Sequence, residues 1–260
     1  MTLTKNITDL DIINNINSID SSVLNNFIPS GTTIAVKTDG TGDYTKLSDA
    51  LSYITHKWSN GNVTINLGSG TFTETSAITL PEFNIPKLTI SGVSIDSTIV
   101  QGVGVSAGGF ITSTYNNSEV IIQNICFKNT DTSISGSAIC AYNGGNFTVV
   151  NCKSVDFRRG IVLTQQDGSF CCRGTLTIEN TTATNMQGAI WCNAGNIYFP
   201  NGTIVKAKNI SYGFTIGAGG FVRSNGLIFN INSVTNRYNI TRNTVQEGGM
   251  ILGTITEGTY

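Results

Sequence analysis

The feature of this chain that most restricts its fold is a repeat whose central Asn recurs after 27, 29 and then 50 residues, the last gap being two periods. Each copy is a short apolar alternation, an Asn and a second alternation. The copies are "EVIIQNICFKN" (119–129), "NFTVVNCKSVD" (146–156), "TLTIENTTATN" (175–185) and "GLIFNINSVTN" (226–236). Self-similarity at about 20–50 residues is typical of solenoids, and strands this short between Gly/Asn turns favour a parallel β-helix. The sequence therefore predicts an all-β, single-stranded parallel β-helix.

The repeat also predicts where its residues lie. Each coil stacks on the next at about 4.8 Å and buries its inward Ile, Val, Phe and Cys side chains in columns. We expect six to eight coils between about residues 60 and 250. Asn tolerates the left-handed backbone conformation of a tight corner. Asn124, Asn151 and Asn180 are therefore predicted to stack in one corner column.

One stretch carries a helical pattern instead. Leu47, Leu51, Ile54 and Trp58 follow two glycine turns at helical spacing, which predicts an amphipathic helix over about 45–58. An open β-helix end exposes apolar core and unpaired backbone groups. We expect the helix to cover the N-terminal end, with Asp43 or Thr45 as its N-cap.

Composition excludes several classes of protein. The 260 residues are 12% charged with a net charge of −1, which argues against a nucleic-acid partner. No apolar run approaches the ~18 residues of a membrane span, and residues 1–30 predict no secretory signal. Six cysteines beside a single His leave almost no material for a zinc site, and we expect free thiols. No cofactor and no metal is predicted.

The N-terminal part resembles a known family. The residues that carry the likeness are "IAVKTDGTGDYTKLSDALSYI" (34–54), "VTINLGSGTFTE" (63–74), "LTISGVSIDSTIVQG" (88–102) and "SAICAYNGGNFTVVNCKSVDF" (137–157). They look like pectin methylesterases and, more broadly, the pectin-lyase-like superfamily, over about residues 34–195. The resemblance implies a right-handed parallel β-helix with a short N-terminal capping helix.

The catalytic positions that the resemblance implies are substituted. Ser137 in "SAICA" stands where the family has a glutamine, and Arg158 and Arg159 in "VDFRRG" replace a Gln-Asp pair. Gln187 in "QGAIW" stands where the nucleophilic aspartate is expected. Guanidinium and amide groups cannot replace two carboxylates acting as acid and nucleophile. We therefore expect no catalytic residues and no pectin methylesterase activity.

Other sugar chemistry remains open. Asp131, Asp156, Asp167 and Glu179 fall on neighbouring coils and could form a glycosidase pair, although solvated rim charges are the plainer interpretation. If glycan is bound, the candidate contacts are the aromatic residues Tyr115, Tyr142, Trp191 and Tyr198.

The first residues suggest attachment. Residues 1–33 are predicted to be a docking segment, because Ile7, Leu10, Ile13, Ile16 and Ile19 form a narrow apolar stripe. Residues 34–260 are predicted to be the β-helix domain.

These features favour a non-catalytic structural protein of a bacteriophage tail, of the short tail fibre or tailspike type. Such a protein is made in the host cytoplasm and resides in the virion. We expect a homotrimer that contacts other tail or baseplate proteins through residues 1–30 and host-surface polysaccharide through the β-helix. No membrane partner is expected. A carbohydrate-active enzyme (polysaccharide depolymerase or lyase) on the same scaffold is the alternative, and a bacterial surface adhesin is the third.

Overall fold

A computed structural model describes residues 26–103, 108–114, 118–131, 133, 136–181, 188–240 and 250–259. In these ranges the chain forms one helix, α1 (Leu47–Tyr53), and twenty strands. The strands of the first half are β1 (Thr33–Val36), β2 (Asn62–Leu67), β3 (Gly70–Thr73), β4 (Ile78–Thr79), β5 (Lys87–Ser91), β6 (Thr98–Gly102), β7 (Gly109–Thr114), β8 (Glu119–Gln123), β9 (Cys126–Asn129) and β10 (Ser137–Tyr142). Those of the second half are β11 (Asn146–Val150), β12 (Lys153–Val155), β13 (Val162–Gln165), β14 (Gly168–Arg173), β15 (Thr175–Glu179), β16 (Ile190–Asn193), β17 (Gly195–Phe199), β18 (Ile204–Gly217), β19 (Phe221–Ile240) and β20 (Met250–Thr259).

The pairing pattern is that of a solenoid with three faces. Over most of the chain each strand pairs in parallel with the third strand after it. The first sheet contains β1, β2, β5, β8, β11, β14 and β17. The second contains β3, β6, β9, β12 and β15, and the third contains β4, β7, β10, β13 and β16. The longer β18, β19 and β20 turn corners and continue more than one sheet.

This arrangement confirms the predicted all-β parallel β-helix. It has about seven turns, which lies within the predicted range. The solenoid begins earlier than residue 60, because β1 already pairs with β2 in register from Thr33 to Val36.

The interior is built from columns of equivalent residues. Ile65, Ile90, Ile122, Val149 and Cys172 are in register on successive first-sheet strands, and all are fully buried. Each coil can bury these side chains only against its neighbours, so the stability of one coil depends on the next.

The predicted Asn column is correct for two residues and wrong for the third. Asn124 and Asn151 occupy the corner between the first and second sheets on adjacent coils, with φ of 57° and 48°. The next position in that column is Gly174, with φ of 64°. Glycine and asparagine both accept this conformation, so the Asn pattern alone does not set the register.

Asn180 belongs to the corner between the second and third sheets. Its column contains Asn129, Asp156, Asn180 and Asn209. The Asn209 side chain donates to the carbonyl of Asn180 over 2.8 Å, and the Asn129 side chain donates to the carbonyl of Asp156 over 3.1 Å. These bonds tie successive coils together at that corner.

Helix α1 is shorter than predicted and is capped differently. It runs over Leu47–Tyr53 rather than 45–58, and the chain leaves helical geometry by His56, where φ is 55°. Leu47, Leu51 and Ile54 are buried as predicted. Trp58 lies beyond the helix, 38% exposed. The helix follows β1, so it takes the place that second- and third-sheet strands occupy in later coils.

The N-cap prediction is wrong because the capping group comes from another coil. The N-cap residue is Lys46, whose side chain makes no capping bond, and the Asp43 carboxylate instead accepts a hydrogen bond from Ala35 N over 2.7 Å. The first helical N–H groups of Leu47 and Ser48 donate to the carboxylate of Glu74, over 2.9 and 3.3 Å. Among the described residues, no helix is long and apolar enough to cross a membrane.

The predicted docking segment lies almost wholly outside the described residues, since residues 1–25 are not among them.

Candidate functional site

The outer face of the third sheet carries a row of residues in register on successive coils. Thr112, Cys140, Leu163, Trp191 and Thr215 form this third-sheet outer row. The residues on either side of Cys140 in β10 belong to the interior core. Because strand side chains alternate between faces, Cys140 and its row face outward. Cys140 and Leu163 are nevertheless 1% and 0% exposed, so other parts of the chain cover this face.

Part of that cover comes from the loop between β12 and β13. Its Arg159 guanidinium lies over the Trp191 ring, with 4.7 Å between the guanidinium carbon and the ring centroid. This is cation–π distance. Arg158 donates from Nη1 to the carbonyl of Ser133 over 3.4 Å, in the equivalent loop of the preceding coil.

Three of the four positions that the resemblance to pectin methylesterases implies lie near the start of β10. Ser137 opens β10, is fully buried, and donates its hydroxyl to the carbonyl of Ile139 over 3.0 Å. Arg159 N donates to the carbonyl of Gly136, the residue before Ser137, over 2.9 Å. Gly188 N donates to the carbonyl of Arg158 over 3.2 Å. Gln187 lies outside the described residues. The three described positions therefore adjoin one another, and none is a carboxylate.

Electrostatics at this face are set by burial and by Arg159. Burial raises the pKa of the Cys140 thiol to about 12, against a smaller opposing effect of the Arg159 charge. Burial also lowers the pKa of the Arg159 guanidinium from its ordinary value, although an arginine side chain remains protonated in proteins. The Cys140 thiol is therefore buried and neutral, and the part of this face that a ligand can reach is the Arg159–Trp191 pair. That pair supplies neither a general base nor an activated nucleophile.

Two polar atoms of the row have no hydrogen-bond partner within the described part of the chain. They are Trp191 Nε1 and Thr215 Oγ1, and both are buried. Both lie beside Gly188, where a Cβ would sit 2.6 Å from Nε1 and 2.8 Å from Oγ1. A side chain larger than hydrogen at Gly188 would therefore displace the Trp191 edge.

The carboxylates of three candidate acids accept hydrogen bonds in or between loops or form a salt bridge. Asp131 accepts hydrogen bonds from Ser133 N and Oγ, which lower the pKa of its carboxyl group. Asp156 is 5% exposed and accepts from the backbone N–H of Thr181 over 2.7 Å.

The other two acids are no closer to a catalytic pair. Glu179 forms a salt bridge with Lys153 at 2.6 Å, and Asp167 lies in the turn between β13 and β14 with φ of 66°. No group of three or more potential metal ligands occurs among the described residues. Asp131, Asp167 and Glu179 fit the rim interpretation, whereas Asp156 is buried.

The three described aromatic candidates are divided between two sheets. Trp191 and Tyr142 lie on the third sheet but in different rows, since Tyr142 is in register with Gln165. Tyr198 lies on the first sheet, where its hydroxyl accepts from Asn225 Nδ2 over 3.1 Å and Arg223 lies 5.9 Å from its ring. Tyr115 is outside the described residues. The pairing of Trp191 with Arg159 was not predicted, because no local signal links positions so distant in sequence.

The cysteines behave as buried thiols. None of the six is bonded to another, and five are buried, with Cys171 the exception. Burial raises the pKa of Cys126 and Cys192 to about 11 and that of Cys152 to about 12.

We expect one fast-reacting thiol in the folded protein. At pH 8, Ellman's reagent should label Cys171 within minutes, because it is the one cysteine that is not buried. The other five should react only after denaturation, because burial blocks access to them and raises their pKa, and the thiolate is the reactive form. A Cys171→Ser variant should show no fast phase. Two or more fast thiols in the native protein would contradict the burial described above.

Comparison with known proteins adds little to what the strand pairing shows about the fold. No protein-family model and no curated protein matches the chain. A solved structure of pectin methylesterase from carrot is similar, with a TM-score of 0.38 and 15% sequence identity, over 86% of this chain and 89% of that one. Nothing about the activity of this chain rests on that likeness, and the strand pairing itself establishes the β-helix.

Proposed function

We propose that this chain is a non-catalytic structural protein of a bacteriophage tail, of the short tail fibre or tailspike type, which binds host-surface glycan. One observation carries the non-catalytic part. At the corner where the family resemblance implies catalytic acids, Arg159 lies against Trp191 and Arg158 is bound to the neighbouring loop. Two arginines in place of a Gln-Asp pair supply no general acid, and Gln187 stands where the resemblance implies the nucleophilic aspartate.

The glycan-binding part rests on partly exposed rings beside cations. Trp191 and Tyr198 are each partly exposed, and each has an arginine within 6 Å of its ring. An aromatic face offers apolar area for the C–H surface of a sugar ring, while neighbouring polar groups bind hydroxyls. Trp191 lies on the third sheet and Tyr198 on the first, so the two rings would contact separate stretches of glycan.

The proposal includes a homotrimer attached through residues 1–30. The Ile/Leu stripe from Ile7 to Ile19 supports it, because a polar segment of that length cannot bury such a stripe by itself. A closed ring satisfies one repeated interface without leaving edges that polymerise.

The first test separates binding from cleavage. The whole protein is screened on immobilised bacterial surface polysaccharides, and the best binder is then titrated. We expect binding without shortening of the polymer by size-exclusion chromatography, and no methanol release from methyl-esterified pectin. Trp191→Ala should weaken binding about 5- to 50-fold, or roughly 1–2 kcal/mol. Tyr53→Ala, which removes a ring 42% exposed on α1, is the control and should bind as the natural protein does.

Shortening of the polymer would instead favour a polysaccharide depolymerase. One contact gives that alternative a starting point, since Asn129 Nδ2 donates to the backbone carbonyls of both Asp131 and Asp156 and so brings the main chain of these two residues together. An enzyme using them would lose cleavage in Asp131→Asn and Asp156→Asn while keeping its affinity for polymer.

A further inference from the structure

The outer face of the second sheet carries a cluster of lysines that the proposed glycan site does not use. Lys128 lies on β9, Lys153 on β12, and Lys206 and Lys208 on β18. Their strand neighbours Phe127, Ser154, Val205 and Ala207 are buried, so all four lysines point outward. We call these four residues the second-sheet lysine face.

The register places these side chains in two adjacent columns. Lys153 is in register with Thr177, which is in register with Lys206. Lys128 is in register with Val155, Glu179 and Lys208 on successive coils. With about 4.8 Å between strands, Lys153 and Lys206 are about 10 Å apart at their backbones, and Lys128 and Lys208 about 14 Å. The charges therefore form a band parallel to the axis of the β-helix.

The band has little compensating charge. Glu179 is the acidic residue that shares its columns, and it is engaged by Lys153 at 2.6 Å. Within the described residues, Lys128, Lys206 and Lys208 form no salt bridge. Four of the eight described lysines thus share one face of a chain whose net charge is −1. Lys206 and Lys208 lie two residues apart on one strand and repel each other, and an anionic partner along the band would relieve that repulsion.

We propose that the second-sheet lysine face binds a linear polymer of phosphate esters, such as a polyol-phosphate chain, lying along the β-helix axis. The composition of the face argues for phosphate. Every cation in the band is a lysine, a compact point charge with three rotatable donors that suits tetrahedral oxyanions. Arginine binds both carboxylate and phosphate through its planar fork, and this band contains none, so its contacts are point charges on single oxygens, the way in which lysine binds phosphate.

Nucleic acid fits this face less well. Duplex DNA carries one negative charge per ~1.7 Å of axis, whereas this band offers a few cations over about 14 Å. Single-stranded nucleic acid is held by stacking on aromatic rings as well as by charge. The outward positions of β9, β12, β15 and the first part of β18 contain no aromatic side chain.

This inference depends on the proposed function only in assigning the chain a binding role. It concerns a different sheet from the one that carries Trp191. The two proposals therefore fail independently, because Trp191→Ala should leave phosphate-polymer binding unchanged.

The test uses the full chain and a poly(glycerol phosphate) hexamer as probe. Titration calorimetry at low and moderate NaCl compares the natural protein with a triple variant, Lys128→Gln, Lys206→Gln and Lys208→Gln. The matched control changes Lys37, Lys46 and Lys87 to Gln, which lowers the net charge equally at other surfaces. We expect binding that weakens with salt, a loss of at least about tenfold in the first variant, and less than about twofold in the control.

Three further probes fix the identity of the polymer. Uncharged polyglycerol should not bind, and a hyaluronan octasaccharide, which carries carboxylates, should bind more weakly than the phosphate polymer. A single-stranded DNA dodecamer should also bind more weakly. Equal losses in the two triple variants would overturn the assignment to this face. Tighter binding of hyaluronan would overturn the assignment to phosphate, and tighter binding of DNA would overturn the assignment to a polyol-phosphate chain.

Discussion

Gly160→Ala is expected to destabilise the protein by about 3 kcal/mol or more, or to prevent soluble folding. Gly160 has φ of 66°, and a Cβ there would overlap the carbonyl oxygen of Ala189 on the next coil. That carbonyl accepts the hydrogen bond of Ile161 N over 3.1 Å, and the Gly160 carbonyl accepts from Ala138 N over 3.0 Å. The methyl group would therefore separate three consecutive coils at the corner that carries Arg158 and Arg159. Urea unfolding followed by far-ultraviolet circular dichroism measures the loss.

Gly144→Ala is the matched control. Gly144 also has a positive φ, 80°, but a Cβ there meets nothing within 4 Å. It should cost only the conformational penalty of a side chain in this region, about 1 kcal/mol. The difference between the two variants isolates the clash between coils. Equal destabilisation would mean that the coils can separate at this corner without cost, contrary to the close packing described.

Glu74→Ala is expected to lower the free energy of unfolding by about 3 kcal/mol, because a buried charged cap is lost. Glu74 is 4% exposed. Its carboxylate accepts from Leu47 N over 2.9 Å, from Ser48 N over 3.3 Å and from the Ser48 hydroxyl over 2.6 Å. Without it, the first N–H groups of α1 remain buried with no acceptor. Equilibrium unfolding and limited proteolysis near α1 should both report the change.

Glu74→Gln tests which property of the side chain matters. It keeps one carbonyl oxygen as acceptor, so we expect about half of the loss. Glu82→Ala, at an exposed position, should fall within about 0.5 kcal/mol of the natural protein. A Glu74→Ala protein as stable as the natural one would show that α1 does not depend on this cap.

The helix shows how far sequence reasoning reaches at one element. The spacing of Leu47, Leu51 and Ile54 predicted a buried helical stripe, and all three are buried. Because capping is usually local, the sequence predicts that the N-cap of this helix is Asp43 or Thr45, which come just before it. The group that caps it is 27 residues downstream of Leu47. No local pattern contains that information, since the approach of Glu74 depends on how the second coil stacks beneath the helix.

The candidate site, like the helix, is only partly predictable from the sequence. The family resemblance placed Ser137, Arg158 and Arg159 at one functional corner, and the structure brings them together. The resemblance does not predict that Arg159 covers Trp191. Nor does it predict that Tyr142 lies in a different row from Trp191, or that Tyr198 lies on a different sheet. The aromatic candidates were chosen by residue type, which contains no information about the face on which a side chain emerges.

The repeat in the sequence is sufficient to predict the architecture. A period of about 25 to 29 residues with alternating apolar positions can bury its interior only by stacking coils, so the parallel β-helix follows from the repeat. Tertiary structure alone decided which residues share a surface. Corner loops differ in length from coil to coil, and Asn and Gly both satisfy the corner backbone, so register is set by interior packing. For that reason Asn180 lies in a different corner column from Asn124. Lys128 and Lys208, which are 80 positions apart in the sequence, lie on one face.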